Sequence, residues 1–165
     1  MSNLRMKIAE KMMESLQNTA QVTHSDDADV TELYAIREKE KEIMKERGIH
    51  LTYLPFFIKS VVMALKKYPK FNSQLSESNK EIIVNNNYNI GVAVDTEEGL
   101  LVPVIKDADK KSITELAKEI VDLATRAKER KLGVEDMKGG TFTITNIGSI
   151  GGNVFTPVIN YPESA

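Results

Sequence analysis

The stretch "YNIGVAVDTEEGLLVPVI", residues 88–105, decides the fold. Two arms of aliphatic and β-branched residues flank a polar segment ending at Gly99, so the stretch reads as a β-hairpin with its turn at 95–99. The arms are nearly continuously apolar rather than alternating. Strands of that kind need cover on both faces, which calls for helices nearby.

The flanking sequence supplies them. Upstream, "LTYLPFFIKSVVMALKKYP" (51–69) is apolar nearly all round as far as Leu65 and reads as a central helix. Thr52 is its expected cap, Pro55 falls in the first turn, and Tyr68–Pro69 ends it. Downstream, "SITELAKEIVDLATRAKERKLG" (112–133) opens with a capping box, Ser112 with Glu115, and closes at Gly133. Further out, Leu4, Ile8, Met12 and Leu16 recur at helical spacing over 3–18, a stripe for the chain's own core or for a neighbouring subunit. An extended piece at 20–25 and the acidic "DDADV" lead to a charged helix from Thr31 to Gly48, with Leu33, Ile36, Ile43 and Met44 as its buried side. Short extended segments are expected at 74–75 and 81–84. Strands and helices interleave without repeat or linker, which predicts one α/β domain with a sheet backed by helices.

Composition narrows the function. A chain of 165 residues suffices for one substantial core. Lys and Arg total 22 against 24 Asp and Glu, so charge offers no reason to expect a nucleic-acid partner. There is no cysteine, which removes disulfides, thiolate nucleophiles and Cys-based metal sites. No run approaches a membrane span and the N-terminus lacks a signal-peptide core, so a cytoplasmic protein is expected.

No other stretch combines so many hydroxyls with so many permissive backbone positions as "GGTFTITNIGSIGGNVFTPV", residues 139–158. Gly148, Gly151 and Gly152 do not form a phosphate loop: no Gly-Lys-Ser/Thr follows and the GxGxxG spacing is missing. A tight turn or bulge between two strands is expected instead. Thr141, Thr143 and Thr145 alternate and so share a strand face. Local chemistry favours a ladder chosen for β propensity, while a functional reading puts the Thr145 hydroxyl at the strand's end as a donor. Asp26, Asp27 and Asp29 imitate a calcium loop, but its glycine position is Glu32, and acids favoured at a helix N-terminus explain them. His24 and His50 lie in separate segments, so no metal site is expected, and there is no Gly-x-Ser-x-Gly elbow.

The ordered segments "LRMKIAEKMMES", "DDADVTEL", "RGIHLTYLPFFIKS", "YNIGVAVDTEEGLLVPVI", "GGTFTITNIGSIGG" and "FTPVINYPESA" together resemble the catalytic core of the dihydrolipoamide acyltransferases of 2-oxo acid dehydrogenase complexes. The resemblance covers nearly the whole chain. It implies a chloramphenicol-acetyltransferase-like fold, a mixed sheet flanked by helices. It implies acyl transfer between dihydrolipoyl groups and coenzyme A, lipoamide being carried on a lipoyl domain outside this chain. Homotrimers assembling into a larger core are implied too, with dehydrogenase partners engaged through other domains. Alternatives are a non-catalytic scaffold of the same complex and a stand-alone CoA-dependent acyltransferase.

Position by position, the resemblance puts coenzyme A contacts on Arg37, Thr52, Asp95, Thr145 and Asn146, with Thr145 as the hydroxyl that stabilises the oxyanion. Many relatives have serine there, and threonine adds a methyl group. The family's general base, a histidine in an Asp-His-Arg motif, is expected beyond Ala165. Residues 1–165 are therefore expected to be a C-terminally truncated catalytic domain, nearly inactive alone, without the lipoyl and peripheral subunit-binding domains. A second departure is Ala20–Gln21, where many members carry Pro-His.

Overall fold

The computed structural model describes residues 3–76, 78, 81–148, 151 and 155–165. Four helices, α1 (Asn3–Asn18), α2 (Thr31–Glu46), α3 (Leu54–Lys67) and α4 (Ile113–Lys128), are joined with seven short strands. These are β1 (Ser73–Leu75), β2 (Ile82–Val84), β3 (Ile90–Val92), β4 (Val94–Thr96), β5 (Gly99–Leu101), β6 (Val104–Ile105) and β7 (Phe142–Ile144). The central sheet runs β6-β3-β7 and is mixed: β6 is antiparallel to β3, and β7 is parallel to it.

Residues 88–105 do form a hairpin, bent into two ladders. β3 pairs with β6 (Ile90 opposite Ile105), and β4 pairs with β5 (Val94 opposite Leu101). The bend falls at Ala93 on one arm and at Val102 and Pro103 on the other. The turn is tighter than the expected 95–99. Thr96 lies opposite Gly99, only Glu97 and Glu98 turn, and Asp95 stands within β4 opposite Leu100. Gly99, at φ +146°, accepts this geometry, and a Cβ there would sit 3.0 Å from Ile8 Cδ1 of α1.

The two sheet faces differ. On one, Ile90, Val92 and Ile105 pack with Ile58, Val62 and Leu65 of α3 and with Leu116 and Leu123 of α4, and Phe142 and Ile144 border this core. On the other, Gly91 pairs with Thr143, and the segment around Asn160 and Glu163 closes over them. β3 and β6 are buried throughout, as their apolar arms require.

Several expectations are corrected. α3 starts at Leu54 with Tyr53 preceding it and no side-chain capping bond, so Thr52 is not the cap, although Pro55 does sit in the first turn. The α4 capping box forms as expected, with Glu115 N donating to Ser112 Oγ (3.2 Å) and Ser112 N donating to Glu115 Oε2 (2.7 Å). α4 ends at Lys128, and Gly133 instead leads into a 3-10 turn, Val134–Met137. No residue of α2 is buried. Ile36 and Ile43, expected inside, are 53% and 41% exposed, and Met44 makes the contact with Ile49, Leu51 and Ala117. Among its described residues the run 139–158 contributes only β7, which pairs with β3. Residues 155–158 are not in a strand, and Gly152 lies outside the described residues.

Candidate functional site

β7 ends at Ile144, and the next two residues continue its alternation in opposite directions. Thr145 faces a cavity of about 550 Å³. Its walls come from β7 and the turn after it (Phe142, Thr143, Ile147), from residues 21–24, and from residues 155 and 157–160. Most of the lining is apolar, and its polar groups include Thr143, Thr145, Asn160 and His24. Sequence reasoning leaves His24 without a place, and its isolation in the chain carries no signal of this position.

Gln21 ties these walls together. Its Nε2 donates to Ser15 Oγ (3.0 Å), its Oε1 accepts from Ile159 N (3.4 Å), and Ser15 Oγ donates to Ile159 O (2.6 Å). The departure from Pro-His at this point thus has a local structural use. Beneath the cavity, Thr143 Oγ1 donates to Glu163 Oε2 (2.7 Å), and Asn160 Nδ2 donates to Glu163 Oε1 (3.0 Å) and to Thr143 Oγ1 (3.3 Å). Glu163 is only 7% exposed, and burial pushes its carboxyl above the usual range against the opposing pull of these two donors. Sequence reasoning misses this cluster, because Thr143 on β7 and the turn at 160–163 are brought together only by the tertiary fold.

Asn146 turns the other way and lines a second cavity, of about 380 Å³, together with Asp95, Leu54 and Lys128. Asn146 Oδ1 accepts from Gly148 N (2.9 Å), which fixes the amide at the head of the glycine-rich loop. Asp95 is exposed, held by β4 rather than by a turn.

Arg37 and Thr52 form a third grouping. The Arg37 side chain is 16% exposed and is ion-paired with Glu38. Its Nε donates to Leu51 O (3.3 Å), and its guanidinium lies 4.9 Å from the centre of the Tyr53 ring. Arg37 therefore grips the residues on either side of Thr52. Leu54, two residues further along, reaches the cavity of Asp95 and Asn146. Of the five expected contacts, the fold brings Arg37 to Thr52 and Asp95 to Asn146, and sets Thr145 apart on the opposite sheet face.

The acidic segment shows its own logic. Asp29 Oδ1 accepts from Thr31 N (2.9 Å) and Thr31 Oγ1 (2.6 Å), and these bonds hold its carboxyl below the usual range. Among the described residues no three His, Cys, Asp or Glu side chains are grouped as a metal site. His50 lines a separate surface hollow with Lys41 and Lys45. No helix among the described residues is long and apolar enough to cross a membrane.

The catalytic-domain family of 2-oxoacid dehydrogenase acyltransferases matches residues 1–165. The chain is 50% identical over 165 residues to the dihydrolipoyllysine-residue acetyltransferase component of the pyruvate dehydrogenase complex of Bacillus subtilis (strain 168), covering 100% of this chain and 37% of that protein. It thus spans little more than a third of that relative's length. The dihydrolipoamide acetyltransferase of Azotobacter vinelandii superposes with a TM-score of 0.97 at 43% identity, over 99% of this chain and 67% of that one. The cubic core of a pyruvate dehydrogenase multienzyme complex superposes equally well, at 0.97 and 44% identity, over 99% of this chain and 67% of that one. With the mixed sheet, its helices and a full-length match in agreement, the chain belongs to the 2-oxoacid dehydrogenase acyltransferase family and has that family's chloramphenicol-acetyltransferase-like α/β fold.

Proposed function

We propose that the protein moves an acyl group between a dihydrolipoyl arm and coenzyme A within a 2-oxo acid dehydrogenase complex. The observation that carries this reading is the pair at the end of β7: a hydroxyl, Thr145, in the larger cavity and an amide, Asn146, in the smaller one. A thioester exchange needs two substrates to meet at one carbonyl, and adjacent residues serving two cavities suit that geometry.

In the proposed reaction, coenzyme A is a substrate. Arg37 is chemically suited to its phosphates, being forked and permanently charged, and Tyr53 already stacks on its guanidinium. Thr52, beside Arg37, and Asp95 and Asn146, in the smaller cavity, supply further polar contacts. The thiol is deprotonated by the general base, which the family resemblance assigns to a histidine motif after position 165. As the thiolate attacks the thioester carbonyl, Thr145 donates its hydroxyl to the developing oxyanion; collapse of the tetrahedral intermediate then expels the dihydrolipoyl thiolate, which takes the proton back from the base. The protein works in this reading as a trimer within a larger core. Its likeness to a cubic core supports assembly, as do the exposed apolar side chains of α2 (Tyr34, Ile36, Ile43) and β2 (Ile82, Ile83, Val84).

The test is acyl transfer from acyl-dihydrolipoamide to coenzyme A by the full-length protein. Thr145→Ala is expected to lower kcat by about a hundred- to a thousandfold, and Thr145→Ser to keep most of it. A folded, assembled protein inert with every common acyl-lipoamide would overturn the reading in favour of a scaffold.

A further inference from the structure

Thr143 Oγ1 lies over the bare backbone of Gly91. A Cβ at Gly91 would stand 2.9 Å from that hydroxyl, and one at Gly140 would stand 3.1 Å from Glu163 Oε1. Two glycines on neighbouring segments thus leave the room that the Thr143–Glu163–Asn160 cluster fills. Glu163 is also anchored through its backbone: its N–H donates to Asn160 O (3.1 Å), and it forms an isolated bridge with Gln74. Among the described residues it makes no ion pair, so its two oxygens are committed to the Thr143 hydroxyl and the Asn160 amide. A carboxylate buried without a cation costs stability. Core packing alone gives no reason to keep one there.

What the cluster does control is the relation between two walls of the larger cavity. Thr143 is two residues before Thr145 on the same strand face, and Asn160 belongs to the opposing wall; both line the cavity. We propose that Glu163 is a positioning residue for acyl transfer, clamping Thr143 to Asn160 so that the Thr145 hydroxyl meets the reacting carbonyl. This rests on the acyltransferase reading of Thr145. Glu163 itself acts only through its neighbours. Hydroxyl placement matters because a donor displaced by a fraction of an ångström loses much of its effect on the transition state.

The experiment uses the full-length assembled protein and five variants: Thr145→Ala, Glu163→Gln, Thr143→Val, Thr143→Ser and the double variant of Glu163→Gln with Thr143→Val. Glu163→Gln and Thr143→Val are each expected to lower kcat by about tenfold, with the coenzyme A KM changed less than about twofold. Because both break one clamp, the double variant should also lose about tenfold, not about a hundredfold. Thr143→Ser, which keeps the hydroxyl, should recover most of the rate. The thermal midpoint of Glu163→Gln should match or exceed that of the parent, an outcome that lost packing would not produce. The proposal is overturned if Thr145→Ala is crippling while Glu163→Gln and Thr143→Val keep full kcat, or if their losses multiply. If Glu163→Gln does not fold, the contrast between Thr143→Val and Thr143→Ser decides: equal rates overturn the clamp. A harmless Thr145→Ala strikes at the acyltransferase reading itself, and the clamp falls with it.

Discussion

Thr145 and Asn146 are joined by one peptide bond and face different cavities, Thr145 the larger and Asn146 the smaller. Strand alternation, continued one step past the end of β7, is the cause. It makes their roles separable. In the full-length protein Thr145→Ala should act on kcat and leave the coenzyme A KM nearly unchanged. Asn146→Ala should raise that KM by about tenfold with a smaller effect on kcat, the usual scale for one lost polar contact. Steady-state kinetics with coenzyme A varied distinguishes the two, and identical profiles would contradict the separation.

Arg37 is held by Leu51 O on one side and the Tyr53 ring on the other. Lysine cannot reproduce a forked, stacked contact. Arg37→Lys is therefore expected to raise the coenzyme A KM by about tenfold or more while keeping its charge. A direct binding titration gives the same information without turnover. Unchanged affinity would show that the cation's charge suffices.

Gly91→Ala adds one methyl group where Thr143 Oγ1 and Val102 Cγ1 each lie 2.9 Å from the new carbon. Neither neighbour is the tip of a long side chain that can swing aside. Overpacking of this kind costs about 1–3 kcal/mol, read as a lower denaturation midpoint at unchanged slope. An unaltered midpoint would mean that the sheet face yields more easily than its pairing suggests.

The Glu163 carboxyl is pushed above its ordinary value of 4.5 chiefly by burial. The folded state thus favours the protonated form. Its contribution to stability is fully present below pH 4.5 and is lost as pH rises through the raised folded value. Glu163→Gln cannot ionise. The difference in unfolding free energy between variant and parent should shift in the variant's favour as pH climbs from 4 towards 7, measured by denaturant titration at each pH. A difference independent of pH would refute the linkage.

How much of the molecule is legible in its sequence depends on range. The helix over 3–18 follows from local periodicity, and the start of the helix read over 112–133 follows from its capping box, although that helix ends at Lys128 rather than at Gly133. The hairpin is equally local, although its bend at Ala93 is not, since only pairing with two partners reveals it. The run 139–158 reads as a hairpin because alternation identifies a strand without naming its partner. β7 instead pairs with β3, far away in the chain. The same blindness hides Glu163: nothing in "NYPESA" signals that its carboxylate meets Thr143. The exposed apolar residues of α2 mislead in the other direction, since periodicity shows that a face is apolar without showing what covers it.

The parallel pairing of β3 with β7 also sets an order of events as the chain is made. The contact from Asn89 N to Thr141 Oγ1 spans 52 residues, which at about 5–20 residues per second means roughly 3–10 s of synthesis between the two strands. Through that interval the hairpin can close, because its ladders are local, but the edge of β3 that β7 will occupy stays open to water. Two adjacent amides record the delay: Val92 N donates to Pro103 O within the hairpin, and Ala93 N donates to Ile144 O of β7. Refolding from the complete chain keeps the same order, because the hairpin closes a short loop and β7 a long one, so pulse-labelled hydrogen exchange should protect Val92 first and Ala93 later.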